Sequence, residues 1–508
     1  MRLLLHRLKV VLTVAALLLV SQVGSAQTGS APTAATRAVA PAAAASAPPA
    51  AVSATARRVY ESTRSQLLQV RTLLKTQDSQ ASVGSGFLVS AEGHVLTNYH
   101  VISQFALEPS GYRLRYATTD GQEGQLELLD FDVRRDLALL RVAPGSLKGR
   151  GALAFRPADK ALAKGDRIYS MGNPHDVAFA VVEGNYNGMV ERSFDELIYY
   201  SGSINSGMSG GPVVDEDGRV VGVNVSALFF AQQMSFLVPG AYAQALLERS
   251  RNAPAMTTPA WPRLREQLLN YQDELTTRFI AQPWASAGHA RYQLPVPQEQ
   301  FMRCWGRVTP ADTKGLEFQR SQCRMEHAVF VSGAMQTGFL NMSHEAYDGG
   351  KLGAIRFARQ YSQSFRNERL GGVDKDRTAP FCKEEFIESG APRPDAARQA
   401  IGETPLALEP SKSAQADLKS RLSAPQGGVQ GSGTVLPPAG AGLPLRAVVC
   451  VRAYRKLAGL HDLSVLVTTV DADTEGALGR FDARGVSFDN ALKLTAHYLE
   501  GFAWNAAR

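Results

Sequence analysis

Between residues 57 and 250 the chain consists of short apolar or alternating segments, separated by turns that are rich in Gly and Asp. Such segments are typical of β-strands, and many of them in succession favour a barrel or a sandwich. The predicted strands are Leu67–Leu74, Ser85–Ser90, His94–Asn98, Gln125–Leu129, Leu137–Val142, Arg167–Met171, Gly184–Glu191, Gly211–Asp215, Val220–Val225 and Ser235–Val238. Helical patterns do not alternate with them, which argues against a parallel α/β hydrolase.

Ser209 lies in the glycine-rich sequence SGMSGGP at residues 206–212. A serine hydroxyl is a poor nucleophile at neutral pH and needs a neighbouring base. Glycines beside it let the backbone turn sharply, so that the amide groups of Gly207 and Ser209 could both point at a developing oxyanion. By itself, a serine between glycines is a weak signal and more often marks an ordinary glycine-rich turn.

Two upstream segments supply the partners that such a serine requires. GSGFLV (84–89) leads into GHVLTNYHVI (93–102), which places His100 at the end of a strand-like run, and RDLALLRV (135–142) places Asp136 at the start of another. An imidazole has a pKa near neutral pH, and a carboxylate on its second nitrogen fixes its tautomer. The sequence therefore predicts a catalytic triad in the chain order His100, Asp136, Ser209.

These motifs resemble those of trypsin-like serine peptidases of the chymotrypsin/HtrA (Deg) type. The similar segments are GSGFLV, TNYHV, DLALL and GMSGGPVV, together with GNP at 172–174 and FLVP at 236–239, and the match extends over roughly residues 57–248. The resemblance implies a mainly β domain of two antiparallel barrels at 57–250. His100 would be the general base, oriented by Asp136, and Ser209 would attack.

Two further implications follow from the resemblance. The amides of Gly207 and Ser209 would form the oxyanion hole, and Met208 stands where the family usually has Asn or Asp, so that its side chain could alter access to the site. The family often carries PDZ domains after the protease, but no PDZ-like carboxylate-binding loop is recognisable after residue 255. Degradative oligomers of the HtrA sort are therefore not predicted.

The substrate pocket is expected beside the nucleophile. Its floor should lie at Ser203 to Asn205, and one wall at Asn224, Val225 and Ser226. Ser203 occupies the base of this pocket, where a carboxylate would be needed to pair with a buried Lys or Arg of the substrate. We therefore expect cleavage after small or medium apolar residues. The alternatives are a protease-like module that binds peptides without turnover, and an esterase.

The first 26 residues have the organisation of a secretory signal peptide. A basic start is followed by an apolar core at Val10–Val20 and by small residues up to Ala26. Residues 27–56 are rich in Ala and Pro and are predicted to form a disordered linker. We expect an exported protein, periplasmic or secreted, without a membrane span after signal cleavage; an uncleaved anchor is the alternative.

Charge and spacing limit the remaining function classes. The formal net charge is +7 over 508 residues, and no basic run or aromatic-basic motif accompanies it, so nucleic-acid binding is not predicted. Metal-ligand spacing such as H-x-x-x-H is absent, and neither a metal nor a cofactor is expected. Proteins or peptides are the predicted partners, as substrates.

A different pattern begins at residue 256. An amphipathic helix is predicted within 256–284, because five apolar residues recur at helical spacing: Leu264, Leu268, Tyr271, Leu275 and Phe279. An α+β accessory domain is expected at 285–508, with a flexible insert at about 388–445. Its predicted elements are the strands Ala328–Ser332, Ala447–Tyr454 and Leu463–Val470 and the helices Gly353–Phe365 and Asp489–Phe502, the latter with Ser487 as N-cap.

The segment Asn252–Pro262 contains Pro and Thr and is predicted to be exposed, with few packing contacts. On this basis a fragment that ends near residue 250 is expected to fold and to hydrolyse small substrates by itself.

All four cysteines lie in the accessory domain. An even number in an exported chain suggests disulfides. Among three possible pairings, closure of the shorter loop favours Cys304–Cys323, which leaves Cys382–Cys450. Zinc binding is the alternative, although no C-x-x-C pair occurs.

Overall fold

The computed structural model describes residues 53–227, 234–288, 291–298, 300–310, 312–368, 371–389, 442–470 and 474–505. The predicted signal peptide (1–26), residues 27–52 of the predicted linker (27–56) and residues 390–441 of the predicted insert (about 388–445) lie outside these residues. The end of the predicted linker is helical and the ends of the predicted insert belong to strands, so both are shorter than predicted.

The first barrel follows a short helix, α1 (Ala54–Thr63). Its six strands are β1 (Leu67–Leu74), β2 (Gln80–Leu88), β3 (His94–Thr97), β4 (Tyr112–Thr118), β5 (Glu123–Asp132) and β6 (Leu137–Val142), and a helix, α2 (Tyr99–Leu107), follows β3. They close in the order β1-β2-β3-β6-β5-β4. Since Thr97 at the end of β3 pairs with Ala138 at the start of β6, the chain that leaves β3 runs beside the chain that enters β6.

The second barrel also has six strands. They are β7 (Arg167–Gly172), β8 (Ala180–Met189), β9 (Ile198–Tyr200), β10 (Pro212–Val214), β11 (Val220–Ala227) and β12 (Ser235–Pro239), and they close in the order β10-β11-β12-β9-β8-β7. The two barrels pack through an apolar layer that includes Phe87, Leu96, Tyr169 and Met171, all fully buried. The prediction of a mainly β domain with two antiparallel barrels is confirmed.

Two helices lead out of the barrels, α3 (Gly240–Ser250) and α4 (Trp261–Ile280). All five apolar residues predicted to form the stripe of α4 are buried. They face both the first barrel and the accessory domain, so this helix packs between the two rather than serving only as a connection.

The accessory domain is built on a seven-stranded antiparallel sheet. Its elements are β13 (Ala285–Gly288), β14 (Tyr292–Val296), β15 (Met302–Val308), β16 (Glu317–Met325), β17 (Val329–Ser332), β18 (Met335–Thr337), β19 (Phe339–Asp348), α5 (Ala354–Asn367), β20 (Phe381–Glu388), β21 (Pro444–Ala453), β22 (His461–Thr469), β23 (Glu475–Val486), α6 (Phe488–Glu500) and β24 (Ala503–Trp504). The large sheet has the order β15-β16-β19-β23-β22-β21-β20, while β17 and β18 form a separate hairpin.

Helices cover both faces of the large sheet. Phe357 and Phe365 of α5 pack on one face with Leu466, and α4 and α6 cover the other, where Phe279 stacks on Phe481 at 5.8 Å between ring centroids. The predicted N-cap of α6 is present, since the Ser487 hydroxyl accepts a hydrogen bond from the Asn490 amide at 3.2 Å.

The strand register pairs the cysteines. Cys304 lies opposite Cys323 across β15 and β16, and Cys382 lies opposite Cys450 across β20 and β21. Both pairs form disulfides, as predicted from the sequence.

The segment between α3 and α4 is largely exposed, as expected, but its backbone is bound to the first barrel. The Met256 amide donates to the Leu128 carbonyl at 2.7 Å, and the Ala260 amide donates to the Ala106 carbonyl at 2.8 Å. One continuous apolar core runs from barrel residues such as Val101 through α4 into the accessory sheet. Autonomous folding of a fragment that ends near residue 250 therefore does not follow from the structure, because such a cut removes part of this core.

None of the described helices combines the length and apolar character that crossing a membrane would require.

Candidate active site

His100 and Asp136 are brought together by the pairing of β3 with β6. His100 is the second residue of α2, and Asp136 ends the loop between β5 and β6. One carboxylate oxygen of Asp136 accepts a hydrogen bond from the His100 amide at 2.8 Å, and the other lies 2.5 Å from the imidazole Nδ1. The Asp136 carboxylate thus caps the first turn of α2 and also binds the imidazole of His100.

The backbone around Asp136 is held in an uncommon conformation. Asp136 has φ = +53°, in the left-handed region that residues other than Gly seldom adopt. Its carbonyl accepts from the Tyr99 amide at 3.1 Å and from the Asn98 side chain at 2.8 Å. Upstream in the loop, the Asp132 carboxylate accepts from the backbone and the side chain of Arg135. These bonds fix the direction of the Asp136 side chain.

The surroundings of His100 act on its basicity in opposite directions. Burial lowers the pKa of the imidazole, whereas the negative charge of Asp136 and the hydrogen bond to it raise the pKa, and the net result lies above the ordinary value of 6.5. Since an ionised carboxylate can only accept hydrogen bonds, Nδ1 carries the proton in neutral His100. Nε2 is then the free basic nitrogen.

The turn around Ser209 depends on two glycines. Gly207 has φ = +92° and Gly210 has φ = +82°. A Cβ on Gly207 would lie 2.4 Å from the Asn173 carbonyl oxygen, and a Cβ on Gly210 would lie 2.3 Å from Thr97 Oγ1. Both positions therefore require glycine for conformation and for space.

Buried polar side chains hold this turn from both barrels. Ser85, on β2, donates its amide to the Ser209 carbonyl at 2.8 Å and its hydroxyl to the Gly207 carbonyl at 2.7 Å. Asn224, on β11, donates its side-chain amide to the carbonyl of Met208 at 3.2 Å. Ser85 and Asn224 are 1% and 0% exposed, so their bonds are shielded from water and stabilise the turn. Hydrogen bonds to backbone carbonyls leave no sequence motif, which is why these two roles were not predicted.

The turn lies against the beginning of α2. A Cβ on Gly84 would be 2.5 Å from Val101 and 2.9 Å from the Ser209 carbonyl, and a Cβ on Gly210 would be 2.7 Å from the Asn98 amide. His100 and Asp136 are joined directly, whereas the Ser209 hydroxyl makes no hydrogen bond with any of the described residues. Hydrogen bonds between a nucleophile and its base are often long in the absence of substrate and shorten when it binds.

The amides of Gly207 and Ser209 are the expected oxyanion donors. Neither has an acceptor among the residues that the structure describes, although both carbonyls of this pair are bound by Ser85. Two amides without an internal partner beside the nucleophile could serve an oxyanion.

The residues expected to form the pocket fall into different environments. Ser203 and Asn205 are exposed, and Val225 is half-buried; Ser226 lies on β11 and pairs with Phe236. The Asn224 side chain is fully buried and bound to the carbonyls of Met171 and Met208, so it stabilises the turn and is not open to a substrate.

Met208 is also fully buried. It packs in the apolar interior of the second barrel with Ile204, Val213 and Leu237. Its side chain therefore does not restrict access to Ser209, contrary to the expectation from the sequence.

Within the described ranges, no group of three or more His, Cys, Asp or Glu side chains is placed to hold a metal ion. The site brings together an imidazole, a carboxylate bound to it, a serine hydroxyl and two backbone amides. Such a set can transfer an acyl group through a serine ester.

Comparison with known proteins finds matches over part of the chain. Residues 84–223 match the family of trypsin-like peptidase domains. The chain is 32% identical over 174 residues to a probable periplasmic serine endoprotease, DegP-like, of Bartonella henselae, which covers 33% of each protein. It is 29% identical over 196 residues to the serine protease HTRA1 of Xenopus laevis, which covers 37% of this chain and 40% of that one. The chain thus spans about a third of the length of the first of these relatives.

Solved structures show a similar partial match. The serine endoprotease of Yersinia pestis is 22% identical and aligns with a TM-score of 0.34 over 39% of this chain and 67% of its own length.

Proposed function

We propose that this chain, which carries a trypsin-like peptidase domain of the HtrA type over residues 84–223, is an exported serine endopeptidase. The observation that supports this most strongly is the double hydrogen bond of one carboxylate, Asp136, to the amide and the imidazole of His100, at the edge of the glycine turn that carries Ser209. This arrangement supplies an oriented base beside a hydroxyl that otherwise has low reactivity.

In the proposed reaction, Ser209 Oγ attacks the scissile carbonyl carbon while its proton moves to His100 Nε2. The carbonyl oxygen becomes an oxyanion that accepts hydrogen bonds from the amides of Gly207 and Ser209. The C–N bond then breaks as the imidazolium returns the proton to the departing amine, which leaves an ester on Ser209. Water, deprotonated by His100, attacks the carbonyl of this ester; the C–O bond to Ser209 then breaks as the imidazolium returns the proton to Ser209 Oγ, which releases the carboxylic acid and restores the free serine.

Asp136 contributes by orientation and by charge. It holds the proton on Nδ1, so that the lone pair of Nε2 is available to Ser209, and it stabilises the imidazolium that forms during each proton transfer. Its carboxylate is only 16% exposed, which strengthens its interaction with the ring relative to water.

The raised pKa of His100 predicts a pH dependence. The base must be neutral to accept a proton, so kcat/KM should fall as the pH drops through the pKa of free His100, and this acid limb should lie above the ordinary histidine value of 6.5. The measurement is kcat/KM against pH on a short chromogenic peptide. An acid limb in the range of a carboxylic acid, with no titration near neutral pH, would show that His100 is not the base.

The proposed substrate preference follows from the composition of the segments expected to line the pocket. Neither Asp nor Glu occurs at residues 198–214, 220–227 or 235–239. A Lys or Arg side chain of the substrate would therefore lose its hydration without gaining an oppositely charged partner. For a buried ion this costs roughly several kcal/mol. Small or medium apolar residues should precede the cleaved bond.

Incubation of the mature chain with an unfolded protein, followed by mass spectrometry of the fragments, checks both reaction and preference. We expect cleavage at internal bonds after residues such as Ala, Val or Leu. Ser203→Asp, at the exposed position expected at the pocket base, should raise cleavage after Lys and Arg. An intact substrate would contradict the proposed peptidase, whereas wild-type cleavage mainly after Lys or Arg would contradict only the pocket assignment.

Export is supported by three independent features. The predicted signal peptide lies at residues 1–26, two disulfides join all four cysteines, and the similar Bartonella protein is named as periplasmic. Disulfides persist in oxidising compartments such as the periplasm and are rare in the cytosol.

A further inference from the structure

The accessory domain contacts the helix that carries His100. Its β17–β18 hairpin lies on α2, where the Tyr99 hydroxyl donates to the Val331 carbonyl at 3.0 Å. The Phe330 ring meets the His100 imidazole edge to face, with 6.0 Å between ring centroids and 74° between ring planes. It also lies 6.4 Å from the Tyr99 ring. Phe330 is thus a residue of the accessory domain in contact with the proposed base.

The hairpin is firmly held by the rest of the accessory domain. Val329 and Val331, on either side of Phe330, are 1% and 0% exposed. At the other strand of the hairpin, Thr337 Oγ1 lies 2.9 Å from the Tyr454 hydroxyl, and that hydroxyl donates to the buried Asp462 at 2.6 Å. Phe330 itself is half-buried, so its position is set by its neighbours rather than by its own burial alone.

A second contact holds the loop that ends at Asp136. Gln267 of α4 accepts a hydrogen bond from the Val133 amide at 2.8 Å and donates one to the Phe131 carbonyl at 2.8 Å. Two bonds from one side chain fix this backbone in position and direction. Next along the loop, Arg134 is bound by Glu274 of α4 at 2.6 and 3.0 Å.

We propose that the accessory domain positions the catalytic pair, with Phe330 fixing the imidazole of His100 and Gln267 fixing the loop that presents Asp136. This inference rests on the proposed peptidase function. Phe330 and Gln267 are positioning residues, since they act through His100 and Asp136 rather than on the substrate. The accessory domain is then a part of the catalytic unit and not a separate module.

The physical basis is the sensitivity of proton transfer to geometry. A base that is misplaced by about 1 Å can lose roughly a hundred-fold in rate. The Asp136 carboxylate fixes one end of the imidazole but leaves it free to tilt about the Nδ1 hydrogen bond, and an aromatic edge against the ring restricts that tilt. Phe330 also keeps water from one side of the ring.

Because Phe330 lies against the His100 imidazole, its removal should also change the pH dependence of the rate, which is a second and independent test. Burial lowers the pKa of His100, so removal of the Phe330 ring should raise it further and move the acid limb to higher pH. Among the described neighbours, the Asp136 carboxylate is in direct contact with the imidazole, and Tyr99 precedes His100 on α2 with a pKa raised by burial. The hairpin strands contribute only uncharged side chains, from Val329–Ser332 and Met335–Thr337.

The test compares full-length variants on a short chromogenic peptide. Phe330→Ala should lower kcat by roughly ten-fold with little change in KM, and should shift the acid limb to higher pH. Phe330→Leu, which restores an apolar cover, should recover part of both effects. The matched control is Phe339→Ala, since Phe339 is also a half-buried Phe of the accessory domain but lies on β19, and among the described ring contacts none joins it to His100 or Tyr99; it should leave kcat and the acid limb unchanged even if it lowers Tm.

The second arm uses α4. Gln267→Ala should lower kcat by roughly ten-fold, whereas Thr277→Ala, at an exposed position of the same helix, should not. The proposal is overturned if the Phe330 and Gln267 variants keep the kcat and the acid limb of their controls. If the wild-type chain itself neither hydrolyses peptides nor reacts with an active-site probe, the proposed function fails instead, and the two failures are thereby distinguished.

Discussion

Ser209→Ala should lower kcat by about a million-fold while the chain stays folded. Loss of the nucleophile removes the acyl-enzyme route, and in related chemistry this costs on the order of 10⁶ in kcat, leaving only the rate from binding and the oxyanion donors. The hydroxyl makes no hydrogen bond with the described residues, so its removal breaks no internal contact that the structure describes. The variant should therefore lose turnover of an unfolded protein substrate but keep the Tm of the wild-type chain.

The same turn provides the matched control. Ser206 lies three residues before Ser209 and is exposed. Among the described residues its one hydrogen bond is made by its backbone carbonyl, which accepts from the His175 amide at 2.7 Å. Ser206→Ala should keep nearly the full rate. Turnover by Ser209→Ala comparable to that of Ser206→Ala would remove Ser209 from the mechanism.

Asp136→Asn should lower kcat by about ten-thousand-fold, because it reverses the tautomer of His100. The His100 amide needs an acceptor, so the oxygen of the new side chain should stay on that amide and its NH₂ group should face Nδ1. An NH₂ donor requires Nδ1 to be the acceptor, which places the proton on Nε2. The base would then carry a proton at the position where it must receive one.

Asp132→Asn is the appropriate comparison, since Asp132 is a second carboxylate of the same loop. Its oxygens are used by the backbone and side chain of Arg135 and lie 3.5 Å from Arg249, and they do not contact His100. We expect a far smaller loss of kcat than for Asp136→Asn. A near-normal rate of Asp136→Asn together with a large loss in Asp132→Asn would assign the orienting role to Asp132.

The sequence predicted the barrels well where strands are apolar and bounded by turns. Two of the twelve barrel strands were not predicted, β4 and β9. β4 (YRLRYAT) has the alternating burial of a strand, but two of its outward positions are arginines and only three of its residues are buried. β9 is only three residues long. Their place in the barrels is set by pairing with β1, β5, β8 and β12, a long-range property that no local window contains.

The accessory sheet was harder to predict for a related reason. β21 and β22 are mostly buried strands that contain short apolar runs and were recognised, whereas β15 and β16 carry many exposed polar side chains and were not. Their pairing depends on the neighbouring strands and on the disulfide that joins them.

Motifs led to the proposed triad, because activation of a serine demands particular residue types. Residues that act through backbone hydrogen bonds or packing, such as Ser85, Gln267 and Phe330, have no such signature. Each acts on a segment far away in sequence: Ser85 on the turn at 207–209, Gln267 on the loop at 131–133, and Phe330 on His100. Their roles become visible only when the fold brings these segments together.

The most direct test of the account is covalent labelling of the full-length mature chain with a fluorophosphonate, followed by mass spectrometry of the labelled peptide. We predict that the label is found on Ser209, that Ser206→Ala is labelled like the wild type, and that labelling is slowed strongly by Asp136→Asn. A folded chain that is not labelled, or that is labelled equally well when Ser209 is replaced by Ala, would contradict an activated nucleophile at this position.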